Sequence, residues 1–170
     1  MTRLAVASEP GFEASEIDAP RVLEAGPNYT YETLRRLRDQ LASDARLFCL
    51  MGADAFLGLR QWHRAAELPF MAPFVVASRR GQPLDRLQPA LPEGLSLQPL
   101  EHSKKGGVEL RAFTVSDAGG RHAPFYLLPC VDVEISATEI RSRLVSGAEA
   151  AARLLPDSVA EYIRAHKLYG

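Results

Sequence analysis

The stretch Leu47-Phe48-Cys49-Leu50-Met51-Gly52-Ala53-Asp54 decides how the chain is read. Leu47 to Met51 is a short continuous apolar run, the pattern of a strand buried on both faces. It stops at Gly52-Ala53-Asp54, and helical sequence resumes through Trp62 to Leu68, before Pro69. Phe74 to Ala77 repeats the apolar pattern as a second buried strand. Strands alternating with helices predict an α/β sheet, mostly parallel.

Upstream, Leu34, Leu37 and Leu41 recur at helical spacing while Arg35, Arg36 and Asp39 fall off that stripe, predicting a helix from Tyr31 to about Ala42. Thr30 is suited to cap it, its hydroxyl accepting from an orphan N–H of the first turn. Gly26-Pro27-Asn28 marks a loop, and Phe12 to Asp18 is a short strand candidate. Residues 1 to 9 favour a helix that Pro10-Gly11 breaks almost at once. Downstream, prolines at 83, 89 and 92 make Gly81 to Gly94 a loop or crossover without regular structure. Leu95 to Leu100 reads as a further strand, Ser103 to Gly107 as flexible, and Ser116 to Ala123 as small and polar. Phe125 to Leu128 and Val131 to Ile135 are strand-like runs around Pro129, and helices at about Thr138–Ser146 and Pro156–His166 close the chain. With no internal repeat, residues 1–170 read as a single domain.

The bulk composition narrows the partners. The chain has 170 residues, 46% hydrophobic and 24% charged, with a formal net charge of -1. That near-neutral balance argues against a dedicated nucleic-acid or membrane surface, so an anion must be held by local groups. Cys49 and Cys130 each lie in an apolar run and read as reduced, buried thiols. No C-x-x-C pair and no H-x-x-x-H or H-x-G-H arrangement occurs, so neither redox nor zinc chemistry has support. No apolar run is long enough to span a membrane, and the first residues lack a signal-peptide pattern. A cytoplasmic location is the expectation.

Ligands of open α/β sheets sit where strand ends pass into helices, and three such places carry polar residues. Ser136 with Glu139 forms a capping box, whose helix N-terminus attracts phosphate; Thr138 adds a hydroxyl and Arg141 a guanidinium fork. A capped helix with a surface arginine explains the same residues. Gly52 permits close approach to backbone and Asp54 can accept from ribose hydroxyls, although a turn with Asp54 capping the next helix also fits. Tyr29-Thr30 at a helix start and Trp62-His63 further on complete the set. Trp62, the single tryptophan, suits stacking on a flat heteroaromatic ring or packing in the core.

Taken together, these segments resemble nicotinate mononucleotide adenylyltransferase, of the HxGH-type nucleotidyltransferase superfamily. Ala25-Gly26-Pro27-Asn28-Tyr29-Thr30-Tyr31-Glu32-Thr33-Leu34 resembles the family's G-x-S-Y-T-x-D-T-L. Met51-Gly52-Ala53-Asp54-Ala55, Trp62-His63 before Glu67-Leu68, and Val75-Val76-Ala77-Ser78-Arg79 follow in the family's order. Ile135-Ser136-Ala137-Thr138-Glu139-Ile140-Arg141 is similar to I-S-[SA]-T-x-I-R, and Tyr162-Ile163 with Leu168-Tyr169 to its ending.

The resemblance implies a Rossmann-like parallel sheet with flanking helices and transfer of AMP from ATP to nicotinate mononucleotide, giving deamido-NAD and pyrophosphate. Gly52 and Asp54 would hold the ATP adenosine, and Ser136, Thr138 and Arg141 its phosphates. Tyr29, Thr30, Trp62 and His63, with Arg79 nearby, would line the nicotinate-nucleotide pocket, and Mg²⁺ would accompany ATP. Asn28 and Glu32 depart mildly from the family's Ser and Asp, and Arg80 stands where a proline often follows the arginine. The larger departure is the absence of G-G-T-F-D-P-x-H-x-G-H, whose histidines bind ATP phosphates in the family. The expectation is a chain that begins inside the helix before the third strand, lacks the first strands, folds poorly alone and has no turnover. A non-catalytic nucleotide-binding or interaction module is the alternative; the sister phosphopantetheine adenylyltransferase fits Tyr29-Thr30 and Trp62-His63 poorly.

Overall fold

The computed structural model describes residues 1–19, 26–78, 87–100, 103–105, 108–128, 137–145 and 154–169. Its contacts cluster into two units, Ile17–Asp132 and Met1–Glu16 with Val133–Gly170.

Strands β1 (Cys49–Gly52), β2 (Phe74–Ala77), β3 (Leu95–Pro99), β4 (Ser103–Lys105), β5 (Val108–Asp117) and β6 (His122–Leu128) all belong to the larger unit. Their order is β1-β2-β6-β5-β3, with β4 paired to β5. The pairs β1–β2 and β2–β6 are parallel, whereas β5–β6, β3–β5 and β4–β5 are antiparallel. The α/β class holds, but the sheet is mixed rather than mostly parallel. The cause is the tight connection Ala118-Gly119-Gly120, since so short a link can join only antiparallel neighbours. Gly120 takes the left-handed φ of 82°, and its N–H donates to the Asp117 carbonyl at 3.2 Å. This matches a three-residue hairpin closed by a left-handed glycine. Composition hid β5: Leu110 to Thr114 are all half-buried, so no alternation marks the strand.

One face of the sheet carries the core. Phe74 and Val76 on β2 and Phe125 and Leu127 on β6 are buried at alternate positions, as a half-covered strand requires. Phe125 meets Phe56 edge-to-face at 5.2 Å and Phe113 at 5.9 Å. Such pairs add about 0.5–1.5 kcal/mol beyond area burial. The opposite face holds Leu50, Val75 and Tyr126 in one cross-strand row. Leu50 there is 69% exposed and Phe48 46%. The expectation of a strand buried on both faces is therefore corrected: β1 ends the described sheet and only Met51 of it is fully buried.

The helices of this unit are α2 (Thr30–Gln40), α3 (Ala53–Leu57), α4 (Leu68–Met71) and α5 (Leu87–Ala90). Thr30 does not cap α2 but is its first helical residue; Tyr29, with extended φ, is the cap and makes no side-chain capping bond. Of the predicted leucine stripe only Leu34 is fully buried, and Leu41 is exposed past the helix end. The segment predicted as helix over Trp62 to Leu68 is a series of turns until α4 begins. The loop expected over Gly81 to Gly94 contains α5, whose Leu87 and Ala90 are buried, and Ser103–Lys105 of the expected flexible segment pairs with β5. Phe12 to Asp18 forms no strand. Phe12 is 70% exposed, so no buried apolar face offsets the entropy of ordering it.

The smaller unit contains α1 (Thr2–Val6), α6 (Ala137–Val145) and α7 (Asp157–Ala165). Val159, Ala160 and Ile163 form the buried side of α7, and the Ser158 hydroxyl donates to the Leu4 carbonyl at 3.1 Å. Arg3 pairs with Glu16, and Arg143 with Glu139 one turn back on α6. The predicted strand Val131 to Ile135, together with Ser136, Arg79 and Cys130, lies outside the described residues.

Candidate functional site

The parallel strands of the sheet finish in line, Gly52 opposite Ala77 and Ala77 opposite Leu128, so the segments after them leave from one edge. That edge is where open α/β sheets receive ligands. Gly52 is the cap residue of α3, with φ of -73°. A Cβ added there would meet nothing within 4 Å, so the peptide stands open to an approaching group. Asp54 is exposed in the first turn of α3, where helix N–H groups favour a carboxylate. Beyond β2, Ser78 is buried and its backbone N–H donates to the Leu128 carbonyl at 3.0 Å.

Tyr29, Thr30, Trp62 and His63 converge. With Asn28 and Gln61 they line an open cleft of about 290 Å³. One wall is the entry to α2. The Asn28 amide donates to the Asp18 carbonyl at 2.7 Å, and the Thr33 hydroxyl donates to Asp18 Oδ1 at 2.9 Å, fixing the loop before the helix. The other wall follows the 3₁₀ turn Leu59–Gln61, whose Leu59 is fully buried and anchors it. Trp62 caps that turn, its N–H donating to the Leu59 carbonyl at 2.9 Å, and packs its half-buried ring against the core. The exposed His63 ring stacks on Tyr29 with centroids 4.4 Å apart and meets Tyr31 edge-on at 6.4 Å.

Arg64 follows with a left-handed φ of 53°, unusual for a residue bearing a Cβ. Its guanidinium grips Glu67 through Nε–Oε1 and Nη2–Oε2 bonds, both 2.7 Å. It also lies 3.8 Å from the centre of the Tyr31 ring. The Arg64 hydrogen bond holds the Glu67 carboxyl below the ordinary glutamate range, against a smaller opposing push from desolvation. The charges of Arg64, Arg121 and His63 act in the same downward direction. Arg121 leaves the β5–β6 turn, bonded to Asp117 at 2.6 Å, and rests 4.3 Å over the Phe70 ring.

The chemistry of the cleft is that of an aromatic slot with polar edges. Ring faces can stack on a planar heterocycle, while Thr30, Asn28 and Gln61 offer hydroxyl and amide groups to its substituents. Among the described residues no three His, Cys, Asp or Glu side chains converge to hold a metal. Thr138 and Arg141 are exposed on α6 of the smaller unit, and Gly52 and Asp54 belong to the larger one. Cys49 is a free thiol that burial pushes up in pKa. Tyr31 and Glu67 stand in the sequence only as motif neighbours and Arg64 carries no signal there; the structure brings the three together beside the cleft. The spacing of three between Arg64 and Glu67 takes its meaning from the left-handed turn.

No family model matches the chain. Individual relatives do, each named a probable nicotinate-nucleotide adenylyltransferase. That of Dechloromonas aromatica (strain RCB) is 37% identical over 169 residues, covering 99% of this chain and 72% of the relative. The Aeromonas hydrophila protein is also 37% identical, over 99% of this chain and 71% of its own length. The Stenotrophomonas maltophilia (strain K279a) protein is 36% identical over 174 residues, with 99% and 72% covered.

Proposed function

This chain belongs to the nicotinate-nucleotide adenylyltransferase family of NAD biosynthesis, and we propose that its aromatic cleft takes the nicotinate mononucleotide. The observation that supports this is the meeting of Tyr29-Thr30 and Trp62-His63, from segments distant in sequence, around one opening. In the family's reaction a phosphate oxygen of the mononucleotide attacks the α-phosphorus of ATP. The bond from that phosphorus to the departing oxygen breaks, and deamido-NAD and pyrophosphate result. The attacking phosphate is already anionic, so the protein's part is positioning and charge stabilisation.

On this reading Trp62 and Tyr29 offer ring faces to the pyridine, and Thr30 and His63 hold polar groups beside it, with Arg79 supplying positive charge. Gly52 and Asp54 take the adenosine, and Ser136, Thr138 and Arg141 the ATP phosphates. Mg²⁺ would accompany ATP, bound chiefly through its phosphates. No helix among the described residues is long and apolar enough to cross a membrane. A cytoplasmic location belongs to the proposal, and fractionation checks it.

None of the four histidines stands in an H-x-G-H arrangement. We therefore propose that this chain binds its nucleotides without turning them over. Calorimetry with nicotinate mononucleotide, beside an assay of pyrophosphate release, tests both statements. Binding lost in Trp62→Ala, with no pyrophosphate formed, is the expected result. A folded chain with no affinity for the mononucleotide refutes the cleft assignment, and release of pyrophosphate refutes the inactivity.

A further inference from the structure

We propose that Arg64, Glu67 and Tyr31 form a clamp that sets the spacing of the cleft, acting as positioning residues outside it. The assignment of a ligand to the cleft rests on the reading above; the clamp itself rests on geometry alone. Tyr31 is the residue after the Tyr29-Thr30 wall, and Arg64 is the residue after the Trp62-His63 wall. The contact of Arg64 with the Tyr31 ring, at 3.8 Å, therefore ties the two walls together one residue beyond each.

Three features make this a device rather than a chance surface contact. Arg64 holds a φ of 53°, a left-handed conformation uncommon for an L-residue with a Cβ. The turn around it is continuous, Ala65 N–H donating to the Trp62 carbonyl at 3.2 Å and Glu67 N–H to the Arg64 carbonyl at 2.9 Å. Finally, the two-bond grip of Glu67 on the guanidinium fixes its plane, so the same group can lie flat over Tyr31. Release of any one member frees Trp62 and His63 to move relative to Tyr29.

The single tryptophan makes the clamp visible without a ligand. Acrylamide quenching of Trp62 fluorescence is measured in the free chain, then nicotinate mononucleotide is titrated against the same signal. Arg64→Ala, Glu67→Gln and Tyr31→Leu are expected to raise quenching and weaken the mononucleotide about twofold to fivefold, the scale of an exposed cation–π or ion pair. Tyr31→Phe keeps the ring face and is expected to behave as the parent. Arg64→Gly relieves the backbone strain but loses the guanidinium, so it should resemble Arg64→Ala. Circular dichroism confirms that each variant is folded. Arg64→Gly or Tyr31→Leu indistinguishable from the parent overturns the clamp, as does a defect in Tyr31→Phe equal to that of Tyr31→Leu. Greater quenching in the variants, with no mononucleotide bound by any protein, upholds the clamp and overturns the ligand.

Discussion

A left-handed backbone is uncommon at a residue with a Cβ, and Arg64 is also held through its side chain. The Glu67 carboxylate is the part that titrates. Its pKa is depressed, so the grip on Arg64 is intact above the ordinary glutamate value of about 4.3 and fades as pH falls through the lower folded value. Arg64, Arg121 and His63 are the charged or titratable groups acting on it, and each favours the ionised form. Acid titration should therefore raise Trp62 quenching with a midpoint below about pH 4.3, and Glu67→Gln should abolish that step. A midpoint above the ordinary value contradicts the arrangement. The effect on global stability is slight, because both partners are exposed and screened. At this scale Tyr29, Thr30, Trp62 and His63 stand out in the sequence by residue type and order, and the structure gathers them around one cleft. The contact of Arg64 with Tyr31 is not legible there, because it exists only once two distant segments meet.

Among elements, the hairpin of β5 and β6 departs furthest from what the sequence suggests. Ser116 to Ala123 reads only as small and polar, whereas the structure places a tight turn within it, and the strand leading into that turn leaves no alternation to find. Gly120 is the residue the turn depends on, with φ of 82°. Gly120→Ala should destabilise the fold by about 1–2 kcal/mol, the cost of a Cβ in the left-handed region, as read from denaturant unfolding. Gly119→Ala is the control, lacking a positive φ; its added Cβ would sit 3.3 Å from the Asp117 carboxylate, which would need to give only a few tenths of an ångström. Equal losses in the two variants would refute the turn assignment. The start of α2 shows the opposite case. Thr30 has the chemistry of a cap, yet the Tyr29 carbonyl receives both the Glu32 and Thr33 N–H groups, so the helix starts one residue early. Capping preference ranks candidates; backbone geometry chooses among them.

Over the larger unit, stability is concentrated on one face of the sheet. Phe125 is fully buried between Phe56 and Phe113. Phe125→Ala should cost about 3–5 kcal/mol in a denaturant titration, since transfer and cavity terms add. Leu50→Ala, by contrast, should change stability little, Leu50 being 69% exposed. Comparable losses at both positions would contradict the one-sided core. Taken alone, the sequence determined the α/β class, a short strand next to Gly52 and another at Phe74–Ala77, and helices α2, α6 and α7 to within a residue or two. It also determined the resemblance that places this chain among the adenylyltransferases. These features are local in origin: hydrophobic period, turn residues and motif order all lie within a few neighbours of one another. Tertiary structure alone decided that the sheet is mixed, that β1 buries one face, and that Tyr29 stacks on His63 while Arg64 lies over Tyr31. Each of those outcomes depends on which distant segment supplies the partner surface, and that pairing energy is written in no single stretch of the chain.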